Sequence, residues 1–494
     1  MTRTLPRWLL ALLVPAYAIF LFAPATGYMH DDGLYIVTAK SLVEGKGYRI
    51  ESLPEPLVQT KYSFLFPAVL APILKVSAQT ILLKLPAFLM TAGWLFAVYR
   101  LSSGSWWIVF FTACSPWVIF LGTAALPDTG FALASTAAVL LVERKEVRMS
   151  RVAGGAALAA AAFLIRATGI ALIVAIVAIL LKQRKWRELI LFLGIVAVVC
   201  APWMLWQSAH PAPSDPVEQY YTKASYQRGH IFGNYKPIEA LTVIGLNALF
   251  IASSFTTLLG LSLSPIGYAL SFVVSALALT GLYRSLRDCL NVMNLWALLY
   301  LGILLCWAWP SHRYLTPLVP VILIFAGTPL ERLKKVAIPI VLLCSVLGIV
   351  FVARASHETW RRGTPPLPSA KADDWRLTNE LAAWIRDNTP VDAVLSATLD
   401  PMFYMLTGRK SIRPFAADPY LLFYGSGERP IGDAENLRAH LGRHHVTYVV
   451  MTPCDGFGEM PHLRRLIDEL TAAGTLRPVK KLDEPGYAIY QVRP

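Results

Sequence analysis

The stretch Gly27-Tyr28-Met29-His30-Asp31-Asp32-Gly33-Leu34-Tyr35 follows directly on the first hydrophobic segment of the chain. Two adjacent carboxylates at the mouth of an apolar run are costly to keep beside hydrocarbon, so in that place they point to function by default. Tyr28 and Tyr35 around them suit a membrane–water interface. The ordinary alternative is that Asp31 and Asp32 end a helix and face water.

Composition decides that the apolar runs are membrane spans. The chain has 494 residues, 55% of them hydrophobic and 15% charged, with a mean hydropathy of +0.51, values of a polytopic membrane protein. The first segment, Leu9 to Phe22, is preceded by Arg3 and Arg7 and lacks a small-residue cleavage site, so it reads as a retained span. The net charge of +14 resides mostly in short loops between apolar runs, where it orients a membrane protein. Nucleic acid is therefore not an expected partner. Five of the six cysteines (Cys114, Cys200, Cys289, Cys306, Cys344) lie in or beside apolar segments and Cys454 stands alone, so neither a zinc cluster nor a disulfide framework is expected.

Basic clusters set the topology. Arg3/Arg7, Arg100, Arg144/Lys145/Arg148, Lys182 to Arg187, Arg284/Arg287 and Arg332/Lys334/Lys335 read as cytoplasmic, and successive cytoplasmic clusters must be separated by an even number of crossings. The run from Val152 to Leu181 lies between two such clusters with Arg166 at its middle, so it divides into two short spans turning outside at Arg166. Each would be only about 21 Å long, which implies local bilayer thinning or a cavity. Parity then gives about eleven transmembrane helices, near 8–26, 82–100, 105–123, 129–142, 152–165, 167–181, 188–208, 264–283, 290–309, 314–328 and 336–352, with a cytoplasmic N-terminus.

Three outer regions are large. The first, 27–81, is a long loop whose Tyr62 to Val76 suits an interfacial amphipathic helix. The second opens with a mobile Pro-rich loop, His210 to Pro237, followed by the apolar stretch Ile238 to Leu261, which parity makes interfacial or re-entrant. The third follows a Pro-rich linker at 354–370. In it, 373–388 has an apolar face of Leu377, Leu381, Trp384 and Ile385, and apolar runs at Val394–Ala397 and Val446–Met451 alternate with helices near 433–443 and 460–473. Leu476 to Val492 reads as two strands joined at Asp483-Glu484-Pro485-Gly486. The fold class expected is an α-helical polytopic membrane protein, with a transmembrane domain at 1–353 and an extracytoplasmic α/β domain at 371–494. No internal repeat is visible.

Four charged sites recur at outer span ends: His30-Asp31-Asp32, Lys61 before Tyr62-Ser63-Phe64-Leu65-Phe66-Pro67, Pro127-Asp128-Thr129, and Ser311-His312-Arg313-Tyr314. A reaction that needs a carboxylate base and a cationic anion-holder can use such a set. Each has an ordinary reading beside this one. Asp128 suits a helix cap, Lys61, Arg166 and Arg313 suit snorkelling to headgroups, and His30 and His312 suit hydrogen bonding at the interface. A divalent metal is not demanded, although Asp31, Asp32 and Asp128 are residue types that hold one.

In order and spacing, Asp31-Asp32-Gly33-Leu34-Tyr35, Lys61 to Pro67, Leu126-Pro127-Asp128-Thr129 and Arg313-Tyr314-Leu315-Thr316-Pro317-Leu318-Val319-Pro320 resemble the C-type (GT-C) integral-membrane glycosyltransferases, over roughly 1–330. Within them the pattern is similar to the bacterial lipid-linked-sugar transferases related to protein O-mannosyltransferases and lipid A aminoarabinose transferases. The resemblance implies a polyprenyl-phosphate sugar donor, a glycan, lipid or protein acceptor, inversion at the sugar carbon, and the setting of a bacterial inner membrane. It makes Asp31 the general base, with Asp32 and Asp128 as further catalytic candidates. Tyr35, Lys61, Arg166, His312 and Arg313 become substrate-binding candidates. Asp32 stands where many members carry Glu. Two other classes use the same composition: a transporter or flippase of lipid-linked sugars, and a noncatalytic envelope-assembly protein. A transporter calls for paired broken helices in two related halves, and the sequence shows no such duplication.

The parity scheme makes its own prediction. In a chain stripped of native thiols, an impermeant reagent applied to intact cells should label a cysteine at position 128, 166 or in the tail and spare one at 144 or 185. Labelling at 185 but not at 128 inverts the scheme.

Overall fold

A computed structural model describes residues 8–143, 148–228, 230–233, 235–261, 263–310, 312–330, 334–366, 373–416, 419–424, 432–453 and 460–493. Arg3, Arg7, Arg144, Lys145, Ser311, Arg332, Pro368 and Cys454, named above, lie outside these residues. The chain divides into two compact units. The first gathers Met1–Leu21, Lys84–Trp206 and Tyr235–His357, and the second Phe22–Leu83, Gln207–Asn234 and Glu358–Pro494.

The first unit is helical. Among the described residues, Thr80–Leu101, Trp186–Ala209, Pro237–Leu258, Pro265–Asp288, His312–Leu330 and Ile338–Arg362 are long and apolar enough to cross a membrane. Asp128–Val142, Met149–Ile165, Ala167–Lys182 and Val292–Leu305 are apolar but shorter. The break expected at Arg166 is present: the preceding helix ends there in extended backbone, and a 3-10 turn at Ala167–Gly169 opens the next. Two expected spans are each divided. Residues 8–26 hold helices Trp8–Ala11 and Val14–Phe22, and 105–123 hold Trp106–Ala113 and Pro116–Gly122, with Pro116 starting its own helix because it lacks an N–H to continue the one before. Most of the stretch at 238–261, which parity makes interfacial or re-entrant, falls in Pro237–Leu258, which has the length and composition of a span. The core includes Trp94, Val98, Val109, Val118 and Ala132, and Trp94 donates its indole N–H to Thr136 Oγ1 at 3.1 Å.

The second unit corrects three expectations. Within 27–81 the helix expected at Tyr62 to Val76 is present as Leu65–Val76, but the rest is no simple loop. Asp31 opens a helix, Asp31–Val43, followed by a hairpin of β1 (Arg49–Ile50) and β2 (Leu57–Val58) and the helix Leu65–Val76. Within His210 to Pro237, read as a loop, the described residues include two short helices. Asp215 accepts the N–H groups of Val217 and Glu218 to start the helix Pro216–Tyr220, Lys223–Arg228 follows, and Tyr220, Tyr221 and Ser225 are buried. The helix Lys334–Arg362 runs on into the segment read as a linker, with Arg362 Nε held by Glu358 Oε2 at 3.0 Å.

The C-terminal part carries a five-stranded sheet of β3 (Leu395–Ser396), β4 (Ser411–Ile412), β5 (Tyr448–Met451), β6 (Leu476–Lys481) and β7 (Ala488–Val492), in the order β4-β3-β5-β7-β6. β3 runs parallel to β4 and β5, while β7 is antiparallel to β5 and β6. The helices Trp375–Asn388, Ala434–Arg443 and Met460–Ala472 stand where amphipathic patterning put them, and Asp374 and Asp433 cap the first two. A further helix, Asp400–Thr407, had no expectation; it packs against Asp31–Val43.

Gly33 makes that packing close. A methyl group at its Cβ position would meet Pro401 Cβ at 2.8 Å, inside van der Waals contact. We expect Gly33→Ala to lower unfolding stability by about 1–3 kcal/mol through overpacking, read as a lower melting temperature in detergent. An unchanged melting temperature would show that the two helices part without cost.

Candidate functional site

In the second unit the acidic pair opens a helix, where carboxylates favour the unpaired N–H groups and the positive end of the helix dipole. The two side chains meet different surroundings. Asp32 is buried, and its oxygens accept the N–H of Gly27 at 2.7 Å and of Met29 at 3.0 Å. Burial pushes its pKa up to about 6 against the lowering effect of those bonds. Asp31 is partly exposed, and its Oδ1 accepts the hydroxyl of Tyr62 at 2.5 Å. Tyr35 stands behind, its ring 5.0 Å from that of Tyr62 and 5.3 Å from that of Phe66. Asp32 thus holds the turn that precedes the helix, and Asp31 stays at the rim.

Lys61 belongs to the same unit. The Gln59 carboxamide oxygen accepts the N–H groups of Lys61 and Tyr62 at 2.8 and 3.1 Å, which fixes the chain at this point. The Lys61 ammonium donates to the Tyr220 carbonyl at 3.0 Å and lies 4.3, 5.1 and 5.7 Å from the ring centres of Tyr220, Tyr62 and Tyr226. Aromatic faces attract a cation without neutralising it. His30, immediately before the pair, is buried; its ring donates from Nε2 to Asp400 Oδ1 at 2.9 Å. Burial lowers its pKa below the ordinary value, the Asp400 carboxylate working against that shift. Tyr62, Tyr220 and Asp400 were not singled out in the sequence. Two signals existed: Tyr62 follows Lys61, and Asp400-Pro401 is an ordinary helix start.

In the first unit, Asp128, Arg166 and Arg313 come together. Arg313 is bidentate on Asp128, Nε to Oδ1 at 2.8 Å and Nη2 to Oδ2 at 2.7 Å, and Arg166 Nη2 reaches Oδ1 at 2.7 Å. The side chains of Asp128, Arg313 and Arg166 are 2%, 7% and 13% exposed, so the arginines are paired inside the protein rather than snorkelling. Asp128 stands in the first turn of its helix. The Arg166 guanidinium also lies over the Tyr314 ring at 4.7 Å, and the Tyr314 carbonyl accepts the Tyr300 hydroxyl at 2.8 Å. Two cations thus share one carboxylate. His312 stacks on Phe250 at 4.5 Å between ring centres, with Trp117 at 6.2 Å.

Among the described residues no three His, Cys, Asp or Glu side chains form a group able to hold a metal ion. The oxygens of Asp32 and Asp128 already accept backbone or guanidinium donors. No step below runs through a metal ion.

Solved structures share this fold at low sequence identity. ArnT from Cupriavidus metallidurans bound to undecaprenyl phosphate is similar with a TM-score of 0.58 and 13% identity, covering 98% of this chain and 97% of that one. The archaeal oligosaccharyltransferase AglB from Archaeoglobus fulgidus, in complex with an inhibitory peptide and a dolichol-phosphate, is similar with a TM-score of 0.52 and 12% identity, over 90% of this chain and 69% of that one. No protein-family model matches the sequence, and no curated protein matches it.

The triad sets up a stability prediction. Asp128→Asn leaves two buried guanidinium groups without their counter-charge and should cost about 3–5 kcal/mol, seen as a large drop in melting temperature. Full stability in that variant would mean that water or lipid phosphate already compensates the arginines.

Proposed function

We propose that this chain transfers a sugar from a polyprenyl-phosphate-linked donor to a hydroxyl of a glycan, lipid or protein acceptor, on the extracytoplasmic side of a bacterial inner membrane. The observation that carries the reading is the division of the acidic pair. Asp31 is partly exposed with its carboxylate aimed by the Tyr62 hydroxyl, while Asp32 is buried and already accepts two N–H groups. The undecaprenyl phosphate of the ArnT structure and the dolichol-phosphate of the AglB structure support a lipid phosphate as the leaving group.

In this reading Asp31 is the general base. It takes the proton of the acceptor hydroxyl as the acceptor oxygen bonds to the anomeric carbon. The bond from that carbon to the phosphate oxygen breaks, and its electron pair leaves with the lipid phosphate. Attack from the face opposite the leaving group inverts the carbon. The charge that appears on the phosphate calls for a nearby cation, and Lys61, held by tyrosine rings and one carbonyl, is assigned that part. Asp32 holds the turn at Gly27–Met29 and so positions the base. Tyr35, whose ring stands beside that of Tyr62, is assigned to substrate contact, while Arg166, His312 and Arg313 are kept as binding candidates within the helical unit.

Purified protein, in the absence of any gradient, should consume one of a panel of undecaprenyl-phosphate hexoses and pentoses; a transporter would leave all of them intact. With that donor, Asp31→Asn keeps the shape and removes the basicity, so turnover should fall by about 10²–10⁴ with folding and donor binding retained. Asp32→Asn should cost less. Lys61→Gln should weaken donor use by about 1.5–3 kcal/mol, the loss of a charge-assisted bond. If Asp31→Asn turns over like the parent while Asp32→Asn or Asp128→Asn is dead, the base is misassigned; full transfer in all three overturns the mechanism.

A further inference from the structure

His30 has a backbone conformation that residues with a side chain rarely adopt, φ 63° and ψ −55°. Such strain persists only where the surroundings over-determine it. Here the surroundings are visible and lie within one unit. The His30 ring bonds Asp400 at 2.9 Å, and the two residues are 3% and 0% exposed. Its ring packs edge-on to Tyr220 at 5.3 Å and beside Tyr221 at 5.9 Å. Tyr220 in turn carries Lys61 on its carbonyl and ring face, and the buried Arg413 guanidinium lies 4.6 Å from the same ring. The Arg413 N–H donates to the Tyr221 hydroxyl at 3.0 Å. Gly27, at φ 86°, sits against Met402, and Gly33 sits against Pro401. The start of the helix bearing the acidic pair is thus moulded on the start of the helix Asp400–Thr407.

We propose that Asp400 is a positioning residue for transfer: by holding His30 in its left-handed conformation it sets the direction in which the Asp31 carboxylate leaves the helix start. This rests on the reading of Asp31 as the base. It gives the C-terminal segment a part in the chemistry, although Asp400 touches no reacting atom. Without the bond, His30 relaxes to negative φ, and the turn before Asp31 changes direction. A misplacement of about 1 Å at a reacting group is enough to cost about 10²-fold in rate. The carboxylate is needed only as an acceptor for Nε2–H, so an amide in its place can serve.

Three variants separate this from a packing role, each assayed with the undecaprenyl-phosphate sugar that the parent consumes. Asp400→Ala should lower kcat about 10²-fold, with the donor KM unchanged, and Asp400→Asn should restore most of it. Asp31→Asn/Asp400→Ala should be no slower than Asp31→Asn alone, because both losses pass through one carboxylate. Carbodiimide labelling of Asp31, read by peptide mass spectrometry, needs no substrate. Its rate should change in Asp400→Ala and return to the parent's in Asp400→Asn. Parental kcat per folded molecule in Asp400→Ala, losses that multiply in the double variant, or equal labelling in all chains overturns the proposal. Full activity in Asp31→Asn instead sinks the base assignment, and the labelling arm still decides whether Asp400 orients Asp31.

Discussion

A carboxylate taken out of water must find donors inside the protein or lose several kcal/mol, and this constraint shapes both units. Asp32, Asp128 and Asp400 are 1%, 2% and 0% exposed. Each meets the constraint with a different donor: backbone N–H for Asp32, guanidinium for Asp128, imidazole for Asp400. For Asp128 and Asp400 the donors come from distant parts of the chain, so each of these two is also a tie. Asp128 ties its own helix start to the break at Arg166 and to the short helix at His312–Leu315. Asp400 ties a helix near the C-terminus to one near the N-terminus, 370 residues apart in sequence. Asp31, the neighbour of Asp32, remains partly exposed.

Much of the helical unit was legible because length and apolar composition are local properties. The break at Arg166 was legible for the same reason, since one charge in the middle of an apolar run admits few other arrangements. The helices Trp375–Asn388 and Met460–Ala472 were found from their one-sided apolar pattern, and the β6–β7 turn from Asp483 to Gly486, whose glycine has φ 100°. The helix Asp31–Val43 was not found, for the opposite reason. Leu34, Tyr35, Ile36, Val37, Thr38 and Ala39 are all buried, so no stripe distinguishes one face, and the acidic first turn read as a loop. The two-residue strand β4 is too short to carry an alternating pattern, whereas β3 lies within the apolar run named at Val394–Ala397.

At the site, residue types were legible and partnerships were not. Charged residues at apolar ends stand out, which is why Asp31, Asp32, Lys61, Asp128, Arg166 and Arg313 could be named. Which cation meets which carboxylate depends on contacts such as Arg313 to Asp128, across 185 residues of sequence, and no local rule reaches that far. Aromatic residues suffered more. Tyr62 and Tyr220 are two tyrosines among twenty, and only folding shows that one aims a carboxylate and the other carries a lysine. His30 read as an interface residue because of its place beside a span; it is instead the buried link between the acidic pair and Asp400.

The two acids themselves show how one position of offset divides a task. Successive residues on a helix point about 100° apart, so when Asp32 turns inward Asp31 cannot, and the same side chain acquires two environments. The resemblance to C-type glycosyltransferases raised a question at this point, since many of them carry Glu where this chain has Asp32. The geometry answers it for this chain. The Asp32 oxygens lie 2.7 and 3.0 Å from the N–H groups of Gly27 and Met29, in a buried turn where Gly27 is already pressed against Met402. A glutamate carries one more methylene, and a filled interior accepts an added methylene only by shifting its neighbours. The short side chain and the tight glycine turn therefore belong together, and a longer acid here would require a wider turn ahead of Asp31.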